Sequence, residues 1–413
     1  MPRRLANNTN SEEGINMSES QLLTRRSALL GAAGVTAAGL IGGPGIAAAY
    51  QATPQATPIS RVPLWQTAWQ NGIVFGTSAA TWQLEDPEYA RLVEHEAAIL
   101  FTEDDLLWWR LRPTPDSALD FQYADQFMAF AEQNRQLVLG AHLVWDEGFG
   151  EEWTEEDLWG MDEETARHLL FDTIEQVVGR YRGRVAGWIV VNEAIDAHEE
   201  DGWRKDFPWY ETIGPSYAEE SFQIAHDADP DATLLLNEFG FETDDEFDSA
   251  ADKRAKALLV LDQLLDAGAP VHALGVQAHL EADGFAEKFD AAGYQQFLSA
   301  VADHGLKILV TELDVLDDGL PADSAERDAA IAEAYRLYLD TALAEPAVAA
   351  VITFGLSDRY TWLQEDYPRE DEEPRRPLPF NDELQPKPAY EALQSALEDA
   401  DDRDPLWQIM RAS

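Results

Sequence analysis

Two glutamates close apolar runs, where an acid is costly unless it works. Glu193 ends the run Trp188-Ile189-Val190-Val191-Asn192-Glu193, and Glu312 ends Ile308-Leu309-Val310-Thr311-Glu312. A carboxylate buried after such a run, with no base nearby, is unfavourable unless it is paired or functional. Two carboxyls held about 5–5.5 Å apart across a glycosidic bond are what a retaining glycosidase needs: one gives a proton and the other attacks carbon. A pair of structural acids is the competing reading. Other run ends also gather polar and aromatic groups: Glu103-Asp104-Asp105, His142 and Trp145, Asn192, Asn237-Glu238, Gln277 and His279, Asp314, and Ser357-Asp358. Trp108, Trp109, Trp145, Trp153 and Trp362 lie in or just past these ends. Indole faces beside carboxylates suit sugar rings, which stack through C–H groups and hydrogen-bond through hydroxyls. Any one of these tryptophans could equally be an ordinary core residue.

Composition removes several other chemistries. The chain has 0 Cys, which excludes thiol catalysis, disulfides and Cys-ligated metals. His142 and His279 come from separate runs, which is thin support for a zinc site, and no Asp-x-Asp-x-Asp-Gly calcium loop occurs. No metal is expected. Lys+Arg is 29 against 78 Asp+Glu, a net charge of −49. Such a surface repels phosphate backbones and anionic lipid, so neither nucleic acid nor membrane is expected as a partner. Only 6 of the 29 basic residues are Lys. That balance points to adaptation to high salt, where counterions screen self-repulsion; a merely acidic protein is the plainer alternative.

The elements that would position these groups alternate. Apolar runs at 72–78, 97–103, 137–145, 185–193, 233–239, 273–280, 307–315 and 349–358 read as strands. Helical patterns separate them, as in 163–181, 248–267 and 325–343. Eight such units predict a closed (β/α)₈ TIM barrel, a single catalytic domain whose strand ends converge on one face. A doubly wound open sheet is the alternative, but no Gly-rich dinucleotide fingerprint or phosphate loop follows the first run.

The boundaries follow from composition. Residues 1–49 carry Arg25-Arg26 before a Gly/Ala-rich run ending Ala47-Ala48-Ala49, the pattern of a twin-arginine export signal with a small-residue cleavage site. A retained membrane anchor is the alternative, disfavoured by the many Gly residues and by Pro44. Residues 50–62 read as a Pro-containing linker, 63–400 as the catalytic domain and 401–413 as a C-terminal tail. The expectation is a secreted monomer.

Between Thr67 and Leu397 the chain resembles glycoside hydrolase family 10, the endo-1,4-β-xylanases. The stretches that carry the resemblance are Trp188–Ala194, Gly275–Leu280, Val310–Val315, Phe354–Asp358, Tyr360–Leu363 and Gln385–Tyr390. The resemblance implies the (β/α)₈ barrel, a retaining two-step mechanism on xylan and no required cofactor. It makes Glu193 the acid/base and Glu312 the nucleophile. Asn192 would hydrogen-bond the 2-hydroxyl of the sugar being cleaved, and His279 and Asp314 would keep the nucleophile ionised and oriented. Gln277 would line the cleavage subsite, with Trp362 as a stacking platform and Trp145 beside them.

Departures from the family cluster on the non-reducing side of the cut. After the second strand, Thr-Pro-Glu-Asn-x-Met-Lys-Trp reads Thr102-Glu103-Asp104-Asp105-Leu106-Leu107-Trp108-Trp109, so Asp105 replaces Asn and Trp108 replaces Lys. After the third, Gly-His-Thr-Leu-Val-Trp-His reads Gly140-Ala141-His142-Leu143-Val144-Trp145-Asp146. Phe354 stands where the family has Trp, and Asn237-Glu238-Phe239-Gly240 replaces Asn-Asp-Tyr-Asn. Asp105, Trp108, His142 and Phe354 are thus expected to line a rebuilt sugar site. On strand alternation His142 should point away from the position of the lost imidazole at Ala141. A weaker glycone side is expected, with binding carried more by the leaving-group side and by the loop at 364–376. The same chemistry on another β-linked glycan, or carbohydrate binding without catalysis, are the other readings.

Overall fold

The computed structural model describes residues 61–410. The expected signal at 1–49 and residues 50–60 of the expected linker lie outside the described residues, as do residues 411–413. Eight parallel strands form a closed barrel: β1 (Val74–Ala79), β2 (Ile99–Thr102), β3 (Leu137–Gly140), β4 (Gly187–Asn192), β5 (Thr233–Glu238), β6 (Ala273–Val276), β8 (Lys307–Leu316) and β9 (Val348–Thr353). Each pairs with its neighbour in chain order, and the β1–β9 and β6–β8 ladders complete the ring. The eight expected strands are all present. The sixth run is broken, however: Ala278 takes φ 60°, and beyond it a short strand β7 (His279–Glu281) pairs only with the outer part of β8. The third stops at Gly140, five residues earlier than its apolar run suggests.

Buried on both faces, the strands are near-continuous apolar runs, as parallel sheets require. Val74, Ile99, Phe101, Leu139, Ile189, Leu235, Leu309 and Ile352 fill the barrel interior. The outer strand faces pack on the helices. An acid-rich chain puts its acids to use here. Asp86, Asp162, Asp290 and Asp323 each cap a helix N-terminus by accepting first-turn N–H groups. Each cap is worth about 1 kcal/mol and also satisfies the helix dipole. No helix among the described residues is long and apolar enough to cross a membrane.

Residues 401–410 are no free tail, which corrects the sequence-based expectation. Ile409 is buried in the interior cluster at the N-terminal end of the strands, and Leu406 and Trp407 pack beside it. Trp407 Nε1 donates to Thr233 Oγ1 at 3.0 Å. Arg403 donates to the carbonyls of Leu343, Glu345 and Val348. A segment too short to show periodicity thus covers apolar side chains of the barrel interior, together with Trp65 and Trp69.

Candidate active site

Glu193 follows the last residue of β4 with φ 56°. A left-handed conformation costs a residue with a Cβ roughly 1–2 kcal/mol and persists where the surroundings over-determine it. Here they do. The Glu193 N–H donates to Asn237 O at 3.0 Å, and its carbonyl accepts from Arg204 Nη1 at 2.9 Å. Arg204 also pairs with Asp146, tying the loop after β3 to the loop after β4. The Glu193 carboxylate accepts three hydrogen bonds: Trp145 Nε1 at 2.9 Å, Asn192 Nδ2 at 3.1 Å and Gln277 Nε2 at 2.9 Å.

Glu312 lies within β8 and is buried, with Asp314 two residues on and therefore on the same strand face. Asn237 Nδ2 donates to Glu312 Oε1 at 2.7 Å. Two imidazoles flank the carboxylate: His142 Nε2 is 3.6 Å from Oε1 and His279 Nε2 is 3.5 Å from Oε2. Both are electrostatic contacts, long for hydrogen bonds. Burial alone would raise the Glu312 carboxyl, but His142 and His279 outweigh it and hold it down at about 2. Burial would in turn lower His279, yet Asp314 and Glu312 push it up to about 10, so the ring is a cation at neutral pH. His279 Nδ1 sits 2.8 Å from Asp314 Oδ1, and Trp362 Nε1 donates to Asp314 Oδ2 at 2.7 Å. Ring and carboxylate are thereby fixed in register.

An amide relay joins the two glutamates. Asn237 Nδ2 donates both to Glu312 and to Asn192 Oδ1 at 2.8 Å, while Asn192 Nδ2 donates to Glu193. Thr311 Oγ1 donates to Asn237 Oδ1 at 2.7 Å, so the orientation of that amide is fixed. Room for it comes from β6: a Cβ on Gly275 would overlap Asn237 Oδ1 and press on Thr311. Asn237 and its neighbour Glu238 were legible only as polar residues at a strand end. The structure gives Asn237 a bridging position and buries Glu238 against Lys253 Nζ at 3.2 Å. Glu238 also accepts from the Ile195 and Phe239 N–H groups, holding the loop after β4 to the end of β5.

Of the expected site residues, the structure brings together Glu193, Glu312, Asn192, Gln277, His279, Asp314, Trp145, Trp362, Phe354 and His142. Phe354 meets His279 and Trp362 edge-on, forming one wall, and Trp145 tilts against His142 to form another. Three expectations need correction. His142 does not point away: β3 ends at Gly140, so strand alternation no longer applies, and the ring lies beside Glu312 after a cis Ala141–His142 peptide. Trp108 lines no sugar site. It is buried, donates from Nε1 to Leu143 O at 3.0 Å, and packs among Phe149, Trp153 and Trp209. Asp105 is also buried, with both carboxylate oxygens taken by Thr81. Burial raises Asp105 to about 6, and it positions the loop after β1 rather than facing the pocket.

The loop at 364–376 is pinned from beneath. Asp317 is fully buried just past β8, with Arg327 Nη1 at 2.9 Å, Arg375 Nη1 at 3.0 Å and Arg369 Nη1 at 3.8 Å. Two of these arginines belong to the loop itself.

Residues 64–396 match the family described as Glycosyl hydrolase family 10. Endo-1,4-beta-xylanase B of Thermotoga neapolitana is 30% identical over 354 residues, spanning 82% of this chain and 92% of that protein. Among solved structures, native xylanase 10B from Thermotoga maritima superposes with a TM-score of 0.71 at 30% identity, covering 82% of this chain and 98% of that one. Xylanase 10B from Thermotoga petrophila in complex with xylobiose gives 0.72 at 29%, covering 83% and 99%. Since the match runs through the whole barrel and through both strands that carry the two glutamates, the chain belongs to glycosyl hydrolase family 10 and is a retaining glycoside hydrolase.

Proposed function

We propose that this enzyme cuts β-1,4-xylan internally, with Glu312 as nucleophile and Glu193 as acid/base. The observation that carries the assignment is the difference between the two glutamates. Glu312 is kept ionised by two imidazoles and an amide N–H. The Glu193 carboxylate accepts instead from the neutral donors Trp145, Asn192 and Gln277. In the first step a Glu312 oxygen bonds to the anomeric carbon while Glu193 protonates the departing glycosidic oxygen. In the second, Glu193 takes a proton from water, which displaces Glu312 with net retention. The substitution at Ala141 and the burial of Trp108 leave fewer polar groups on the non-reducing side. That favours a second reading, the same chemistry on another β-linked glycan. Release of reducing sugar from xylan against a panel of other β-glycans separates the two.

The twin-arginine pattern and the −49 charge support a protein exported already folded and working in brine. Glu312→Ala should abolish turnover, whereas Glu193→Ala should spare substrates with good leaving groups, which need little protonation. Azide added to Glu193→Ala should give a β-configured product. An inverted product from the wild type overturns the two-step assignment.

A further inference from the structure

The face that carries the two glutamates also bears an indole that their chemistry does not use. Trp82 lies in the one-turn helix Thr81–Leu84 after β1 and is 46% exposed. A single exposed tryptophan carries no message by itself. This one is held in a fixed orientation. Its Nε1 donates to Asp104 Oδ2 at 2.9 Å, and it meets Tyr360 at 5.5 Å between ring centroids, with planes 86° apart. Tyr360 is anchored in turn, its hydroxyl donating to Asp86 at 2.9 Å beside Arg359. Asp104 follows β2 and Tyr360 follows β9, so the three residues sit over the contiguous strand ends β9, β1 and β2. Arg110 lies 3.9 Å from Asp104, its guanidinium over Trp109 and over Tyr123. Holding a large side chain still costs rotamer freedom, and at the surface little burial offsets it. What the fixed indole provides is a ready platform, with the Asp104 carboxylate at its edge.

We propose that Trp82 is the floor of an outlying sugar subsite. It takes one ring of the same β-linked chain, beyond the rings that fill the pocket between Glu193 and Glu312. The C–H face of the sugar stacks on the indole, and its hydroxyls reach Asp104. This rests on the reading of the protein as an enzyme that cuts long β-linked chains, and it places part of the recognition of those chains on the barrel rim.

The test compares kcat/KM for wild type, Trp82→Ala and Trp82→Tyr on β-1,4-linked oligosaccharides of increasing length and on a short aryl glycoside. Xylo-oligosaccharides are the first series; if the wild type leaves them intact, the substrate reading fails and the comparison runs on the β-linked series that it does cut. Stacking of this kind predicts a loss of roughly 2- to 12-fold for Trp82→Ala on long chains. The short aryl glycoside should be cut at the wild-type rate, and Trp82→Tyr should recover most of the loss. Thermal midpoints of all three proteins show whether the fold is intact. Equal losses on short and long substrates, or no loss on any, overturn the proposal.

Discussion

His279→Gln tests the electrostatics of the site from two directions. The wild-type ring is raised from its ordinary 6.5 to about 10 between Asp314 and Glu312. That rise is equivalent to a few kcal/mol at about 1.36 kcal/mol per pH unit. The side chain is 26% exposed, so solvent screening brings the figure down to about 2 kcal/mol. Because the folded-state value is raised, the stabilisation is fully present below pH 6.5 and is lost as pH climbs through about 10. The variant lacks it throughout. Urea unfolding at fixed high salt should show a gap of about 2 kcal/mol at pH 6 that closes towards pH 10. Activity gives a second readout. Without the cation, Glu312 climbs from about 2, and the acid limb of kcat/KM should move up by about 1 pH unit or more. A gap that stays constant from pH 6 to 10, together with an unmoved acid limb, refutes the charged-imidazole account.

Trp108→Ala should cost about 3–5 kcal/mol of stability, as expected for a large side chain removed from a packed cluster, with KM changing far less. Trp108→Lys should unfold the protein rather than restore sugar binding, since it buries an ammonium without a partner; a folded, tighter-binding Trp108→Lys would show that the indole is not core. Thermal midpoints should rise as salt is raised from 0.01 M to 1 M, because the screening length falls from about 30 Å to about 3 Å. A flat profile counts against the salt-adapted reading of the −49 charge.

The barrel was legible because its signals are local. Each strand is an apolar run of a few residues, and the breaks between them carry helical periodicity. Glu193 and Glu312 stood out because an acid at the end of a largely apolar run is anomalous on its own. What depended on distant partners was not legible. Trp108 and Trp209 are separated by 101 positions in sequence but pack at 5.8 Å, and nothing near Trp108 marks it as core. His142 defied alternation because the rule holds only inside a strand, and β3 ends two residues earlier. Asn237 looked like any strand-terminal amide; its bridging position needs β4 and β8 on either side of it. The floor segment at 401–410 shows no period because it packs through separated anchors, Arg403, Trp407 and Ile409.

Gly275 gives the relay a consequence for how this enzyme can diverge. Any replacement adds a Cβ, and that atom displaces the amide that holds Glu312 and aligns Asn192. Position 275 is therefore closed to mutation one step at a time, although it carries no side chain. The rim residue Trp82 is half open to solvent and meets no such barrier. Changes in which sugar is held can accumulate there, while the geometry that breaks the bond stays locked by a strand with no room for one more carbon.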